Sequence, residues 1–322
     1  MPERAYPKAV PSHVYLFATC LVDLFVPAAG LDTVRLLERE QLTVHYPRGQ
    51  SCCGQPAYSS GNPDEARRVA AAQLDLFAEP WPVIVPSGSC AGMMRHHWPA
   101  LFADDPVNGP KAREIASRVY ELAEFLVNVL HIRFDTLPHD VGSPEERVVL
   151  HTSCAARREM GTRGHGVALL DALPGVTRIE HERESECCGF GGTFSLKHPD
   201  ISGAMVRDKV ASACATGCDR LVSADCGCLL NIGHAAAKQG APLPVEHLAT
   251  FLWRRTADAT SPLGAAQGAR ATPSSRGCGP PRRALSRPKH RHSARQSTTI
   301  TTDDGRHQTP THSPPHRPCW PH

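Results

Sequence analysis

Two short stretches of the chain carry the same three residues in the same order. Cys52–Cys53–Gly54 lies in SCCGQPAYSSGNPD, and Cys187–Cys188–Gly189 lies in ECCGFGGTFSLKHPD. Each pair is flanked by single cysteines at matching distances. Thirty-one residues separate Cys20 from the first pair, and 36 separate that pair from Cys90. In the second half, 32 residues separate Cys154 from the pair, 37 lead on to Cys226 and 39 to Cys228. Folding can therefore gather Cys20, Cys52, Cys53 and Cys90 into one group, and Cys154, Cys187, Cys188 and Cys228 into another.

Thiolates ligate metals, carry redox chemistry or form disulfides. Neighbouring side chains on an extended strand point to opposite faces, so a vicinal pair that serves one site needs a turn. Gly54 and Gly189 supply the backbone freedom for it. Two adjacent thiolates do not easily occupy two corners of one tetrahedral zinc, but they reach two metals of a polynuclear cluster. Iron–sulfur clusters are held by cysteine thiolates, and nearby backbone N–H groups tune their sulfurs. A structural zinc in either half has the four thiolates it needs, although the long gaps are unlike compact zinc motifs. Metal-free redox thiols or a vicinal disulfide form a third reading, and a purely buried structural role a fourth. Cys214 and Cys218, one helical turn apart in CATGC, read as buried or half-buried helix residues. His13 and His151 read as satisfied core histidines beside apolar strands, and Arg95, His96 and His97 as a solvated helix start.

The elements that must position these residues also repeat. HVYLFATC, LTVHYP and PVIVPSGSC read as short buried strands in the first half, and ERVVLHTSC, GVTRIEH and RLVSADCGC take their places in the second. LDTVRLLERE reads as a helix. NPDEARRVAAAQLDLF and HPDISGAMVRDKVASA are helices opening on Pro63 and Pro199, where the missing N–H costs nothing. ELAEFLVNVL and VEHLATFLWRR share Leu-Ala-x-Phe-Leu and close each half as helices. An internal duplication accounts for the whole order. Alternating strands and helices indicate an α/β fold with parallel strands, whose ligands collect at the carboxyl ends of strands. The single cysteines are expected at those ends.

The 322 residues divide into an expected first unit over 1–140, a second over 141–256 and a tail over 257–322. The tail holds nine Arg, one Lys, three Asp and ten Pro, with little aliphatic periodicity. It is expected to be disordered, and Cys278 and Cys319 within it are given no role. With the tail set aside, the formal charge of +3 becomes −4, which argues against a nucleic-acid footprint on the folded part. No segment reads as a membrane span or a secretory signal. The expected compartment is the cytoplasm, where thirteen cysteines are better explained by metal than by disulfides.

One cysteine, then Cys-Cys-Gly, then a closing cysteine, twice over, resembles the cysteine-rich CCG domain family. The segments ECCGFGGTFSLKHPDIS, PSGSCAGMM and DCGCLLNI are similar to its lactate-utilization branch, and the likeness covers roughly residues 12 to 255. The same domain occurs in the heterodisulfide reductase B subunit and in iron–sulfur subunits of glycolate- and glycerol-3-phosphate-oxidising enzymes. The resemblance implies two Rossmann-like parallel-sheet domains and one or two iron–sulfur clusters of the 4Fe-4S type, with zinc as the alternative metal. It further implies an electron-transfer subunit of a complex that oxidises L-lactate to pyruvate. The partners implied are a subunit with ferredoxin-type cysteine motifs and a third lactate-utilization protein.

A glycolate oxidase or heterodisulfide reductase-like subunit is the alternative within the family. A zinc-stabilised, non-redox assembly scaffold is the alternative outside it. Where the heterodisulfide reductase branch ends each motif in Cys-x-x-Cys, this chain has Ser87 and Asp225 at the earlier positions. A five-thiolate cluster is thereby put in doubt, and Asp225 and Cys226 become the candidates to complete the second site. The chain carries no Cys-x-x-Cys-x-x-Cys run, no Gly-x-Gly-x-x-Gly fingerprint and no recognisable flavin motif.

Overall fold

The structure, a computed structural model, describes residues 4–134, 144–240 and 243–257. The expected tail lies, from residue 258 on, outside the described residues. Two four-stranded parallel sheets form the frame. The first comprises β1 (His13–Leu16), β2 (Thr43–His45), β3 (Val83–Val85) and β4 (Val119–Glu121) in the order β2-β1-β3-β4. The second comprises β5 (Glu146–Leu150), β6 (Val176–Ile179), β7 (Arg220–Ser223) and β8 (Val245–His247) in the order β6-β5-β7-β8. The orders superimpose element by element, as a duplication requires.

Local sequence explains these elements. Val83, Ile84 and Val85 are buried without alternation because helices cover both faces of a parallel sheet. The helices Pro63–Leu74 and Pro199–Ala215 both begin on the expected proline. Asn62 takes the N-cap position but makes no side-chain cap bond. β4 and β8 are short strands absent from the sequence reading: β4 lies ahead of ELAEFLVNVL except for Glu121, and β8 is the start of VEHLATFLWRR. Each runs straight into a helix, Leu122–Asn128 and Leu248–Thr256 respectively. Glu121 and His247 end these strands and cap the helices, accepting from the amides of Ala123 and Ala249.

The two halves share a core. The helix Leu248–Thr256 of the second half packs on the helix Pro27–Arg39 of the first. In return, Leu122–Asn128 packs on Arg163–Asp171. Phe125 and Leu126 thus meet Leu169 and Leu170 in one apolar cluster, each large side chain contributing about 1.5–3 kcal/mol on burial. At a second contact, a Cβ added to Gly88 would lie 2.3 Å from the Cβ of Ala156. Only a glycine lets the helices Gly88–Gly92 and Cys154–Arg158 approach so closely. Among the described residues no helix is long and apolar enough to cross a membrane.

Candidate functional site

The four single cysteines lie past the carboxyl ends of the central strands, four or five residues beyond Leu16, Val85, Leu150 and Ser223. They are not strand residues. Cys20 and Cys154 open the helices Cys20–Phe25 and Cys154–Arg158, and Cys90 and Cys228 are the third residues of Gly88–Gly92 and Cys226–Lys238. The chain turns from strand to helix here, and each cap is local. Thr19, Ser87 and Ser153 accept bonds from the amides of Val22, Cys90 and Ala156. Asp225 occupies the fourth cap position but turns its carboxylate across to the first half. One oxygen accepts from Ser87 Oγ at 2.9 Å, Ser89 N at 3.0 Å and Ser89 Oγ at 2.7 Å.

The Cys-Cys-Gly turns are built alike. Gly54 and Gly189 have φ of 92° and 84°, in the left-handed region that favours glycine. A Cβ there would lie 3.0 Å from the carbonyl of Ala66 and 2.8 Å from that of Ser202. In this conformation each glycine N–H donates back to the first thiol of its pair, at 3.4 Å to Cys52 and 3.3 Å to Cys187. Trp98 Nε1 and Asn231 Nδ2 hold the carbonyls of Cys53 and Cys188.

The thiols of each half meet. Cys53 and Cys90 are 3.3 Å apart at sulfur, and Cys52 lies within hydrogen-bonding reach of Cys20 and Cys53. In the second half Cys187 is in reach of Cys154 and Cys188, and Cys188 of Cys228. Hydrogen bonds from Cys20 and then Cys53 draw the Cys52 pKa down to about 3, and bonds from Cys154 and Cys188 draw Cys187 to about 2. The thiols that donate these bonds, Cys20, Cys53, Cys154 and Cys188, are pushed upward. Bringing so close a group to four thiolates calls for cations among the sulfurs. The donor set suits a thiolate-bound metal centre.

Both groups line a single cavity of about 330 Å³, within the range of small-molecule sites. The duplication turns its two thiol groups toward one space. Cys226 also lines it, but its thiol donates to the Leu21 carbonyl at 3.4 Å and packs with Val22 and Ala29. Burial, with Asp225 adding to it, pushes the Cys226 thiol up to about 12.

Three residues differ from their sequence reading. His151 is buried, but neither ring nitrogen has a hydrogen-bond partner, so it is not a satisfied core histidine. Burial, then the charge of Lys209, lowers its pKa to about 3, which keeps the ring neutral. Arg95 is not a solvated helix residue: its guanidinium donates to Glu124 and to the Val119 carbonyl. Cys218 lies past the end of the helix Pro199–Ala215, with its thiol directed to the Ala213 carbonyl. Lys209 also belongs to the surroundings of the second thiol group, although its residue type does not single it out. Its ammonium is buried and donates to the carbonyls of Arg183 and Glu184. The signal was present: Lys209 is the eleventh residue from Pro199, where Gln73 stands from Pro63.

Comparison with known proteins agrees with this architecture. The family model described as "Cysteine-rich domain" (CCG) matches twice, over residues 14–95 and 148–233. The chain is 42% identical over 241 residues to lactate utilization protein A of Shouchella clausii, covering 74% of this chain and 98% of that one. It is 43% identical over 240 residues to the protein of the same name from Bacillus subtilis, with the same coverage. Among solved structures, a hypothetical protein from Helicobacter pylori matches with a TM-score of 0.52 at 12% identity. That match covers 79% of this chain and 52% of the other, and it bears on the fold alone.

Proposed function

The chain belongs to the cysteine-rich CCG family, with two copies of the domain, and from that premise we propose that it is the iron–sulfur electron-transfer subunit of a lactate-utilization system. The reaction served is the oxidation of L-lactate to pyruvate. The observation that carries this reading is the meeting of four thiols in each half, drawn from three distant segments, around one shared cavity. Cys20, Cys52, Cys53 and Cys90 would hold one cluster, and Cys154, Cys187, Cys188 and Cys228 the other. When bound, such a cluster supplies electron acceptance and release.

The residues around the thiols prepare the site. The N–H groups of Gly54 and Gly189 support the charge on Cys52 and Cys187. Asp225 fixes the turn that carries Cys90, so the first site depends on the second half. Burial of Cys53, Cys188 and Cys228 keeps water from the inner sulfurs, which strengthens every electrostatic contact there. The sequence has neither a ferredoxin-type run nor a dinucleotide fingerprint, so electrons must pass to partner subunits. A subunit with ferredoxin-type cysteines and a third lactate-utilization protein are the partners in this reading.

Anaerobic purification tests it. The expected product is a coloured protein with iron and acid-labile sulfide, whose visible absorption bleaches on reduction. Stoichiometric zinc in a colourless sample would defeat the electron-transfer reading and favour a scaffold.

A further inference from the structure

The two thiol groups are alike in their cysteines and unlike in what stands behind them. Phe17 and His151 occupy the same place, three residues before Cys20 and Cys154. Their backbones are anchored identically, Phe17 N–H donating to the Ile84 carbonyl at 2.9 Å and His151 N–H to that of Val222 at 2.8 Å. Phe17 is wholly buried in an apolar cluster with Phe77 and Cys53. His151 is only 1% exposed, so an imidazole sits where the first half has a hydrocarbon ring.

A buried ring nitrogen without a partner is destabilising, and His151 has two. One ring nitrogen and the sulfurs of Cys188 and Cys228 all lie within 4.8 Å of one another. With metal–nitrogen bonds near 2.0 Å and metal–sulfur bonds near 2.3 Å, such donors can close on one ion with small movements. The imidazole also borders a small chamber of about 20 Å³ between the halves, as do Glu121 and Asp225. Glu121 Oε1 and Asp225 Oδ2 are likewise buried without partners. The chamber has room for about one water.

We propose that His151 is a fifth donor of the second site, binding a metal atom there through one ring nitrogen. Its other nitrogen is backed by a water held between Glu121 and Asp225. This rests on the reading that the eight cysteines hold clusters, and it makes the two sites unequal. The first is all thiolate; the second adds a neutral nitrogen donor. His151 displaces no thiolate, so each site keeps its four sulfurs and the two differ by the added nitrogen alone. A metal-bound histidine backed by a carboxylate, directly or through water, is a common means of fixing ring orientation.

The test uses the full chain loaded anaerobically with iron and sulfide, with and without 15N-histidine. Pulsed electron paramagnetic resonance of the reduced protein should show a nitrogen coupling that changes with the label. The coupling should vanish in His151→Phe, which copies the first half, while iron content stays near that of the parent. His151→Cys, which keeps a donor and a small side chain, should also lose the coupling and retain the metal. Iron-loaded protein without a histidine coupling, or a coupling that survives both substitutions, overturns the proposal. Protein that takes up zinc instead of iron defeats the cluster reading separately. X-ray absorption at zinc then decides the ligand: a nitrogen shell lost in His151→Phe sustains it, and an all-sulfur shell overturns it.

Discussion

Asp225 and Ser89 stand 136 positions apart and share two hydrogen bonds at one carboxylate oxygen, from the Ser89 amide at 3.0 Å and its hydroxyl at 2.7 Å. Ser87 adds a third at 2.9 Å. A residue of the second half thereby shapes the helix start that presents Cys90. Hydrogen bonds to a charged group contribute about 1.5–3 kcal/mol each at most, and loss of all three leaves Ser87 and Ser89 to reorganise. Asp225→Ala should lower stability by about 2–4 kcal/mol and reduce metal at the first half's thiols. Urea unfolding and metal stoichiometry check this. Full loading of the first site in Asp225→Ala would show that the link has no part in holding Cys90.

The duplication, most strands, both proline-led helices and the grouping of eight cysteines were legible in the sequence because each leaves a local or spacing signal. What stayed hidden lies between the halves. The sequence offers Asp225 only as a candidate to complete the second site and gives Gly88 no part; only their partners, Ser89 and Ala156, reveal the interface. β4 and β8 are three residues long, too short for a period of two to show, and each ends on the residue that caps the next helix. His151 looked like a core residue because its neighbours in sequence are apolar. Its unpartnered nitrogens are a property of the fold, which brings Cys188 and Cys228 from far along the chain.

The glycines of the two Cys-Cys-Gly turns should tolerate no side chain. Gly189→Ala meets both a positive φ and the Ser202 carbonyl 2.8 Å from the new Cβ. Such strain costs on the order of 1–3 kcal/mol, and it tilts the N–H that supports Cys187. Gly61 is the control: its φ is +80°, but nothing lies within 4 Å of a Cβ. Thermal unfolding should rank Gly189→Ala well below Gly61→Ala, with loss of metal in the former alone. Equal stability and equal metal in the two variants would contradict the close-approach argument.

Lys209 places a buried ammonium toward the second thiol group, with Cys188, Cys228 and Cys154 among the groups that act on it. Burial lowers its pKa, and the thiols oppose that shift. Lys209→Met should strand the Arg183 and Glu184 carbonyls, costing about 2–3 kcal/mol, and remove positive charge from beside the thiolates. Metal should leave the second half before the first. Lys209→Gln, which copies Gln73, should recover part of the stability but less of the metal. Metal analysis of both variants under a graded chelator challenge makes the comparison. Loss from both halves at the same chelator concentration would argue against a local effect.

Glu121 gives the fold a dependence on pH. Its side chain is 1% exposed; Oε2 accepts from the amides of Ala123 at 3.0 Å and Glu124 at 3.3 Å, and Oε1 has no partner. Burial pushes its pKa from the ordinary 4.5 up to about 8, and the amide bonds only partly offset this. The folded state therefore holds a proton that the unfolded chain releases near pH 4.5. The resulting contribution is whole below that pH and is lost as pH rises through about 8. Glu121→Gln keeps an acceptor for both amides and has no proton to lose. Between about pH 5 and pH 8 the parent should lose on the order of a few kcal/mol relative to Glu121→Gln. Urea midpoints of the two proteins across that range measure the difference, and parallel curves would exclude Glu121 as its source.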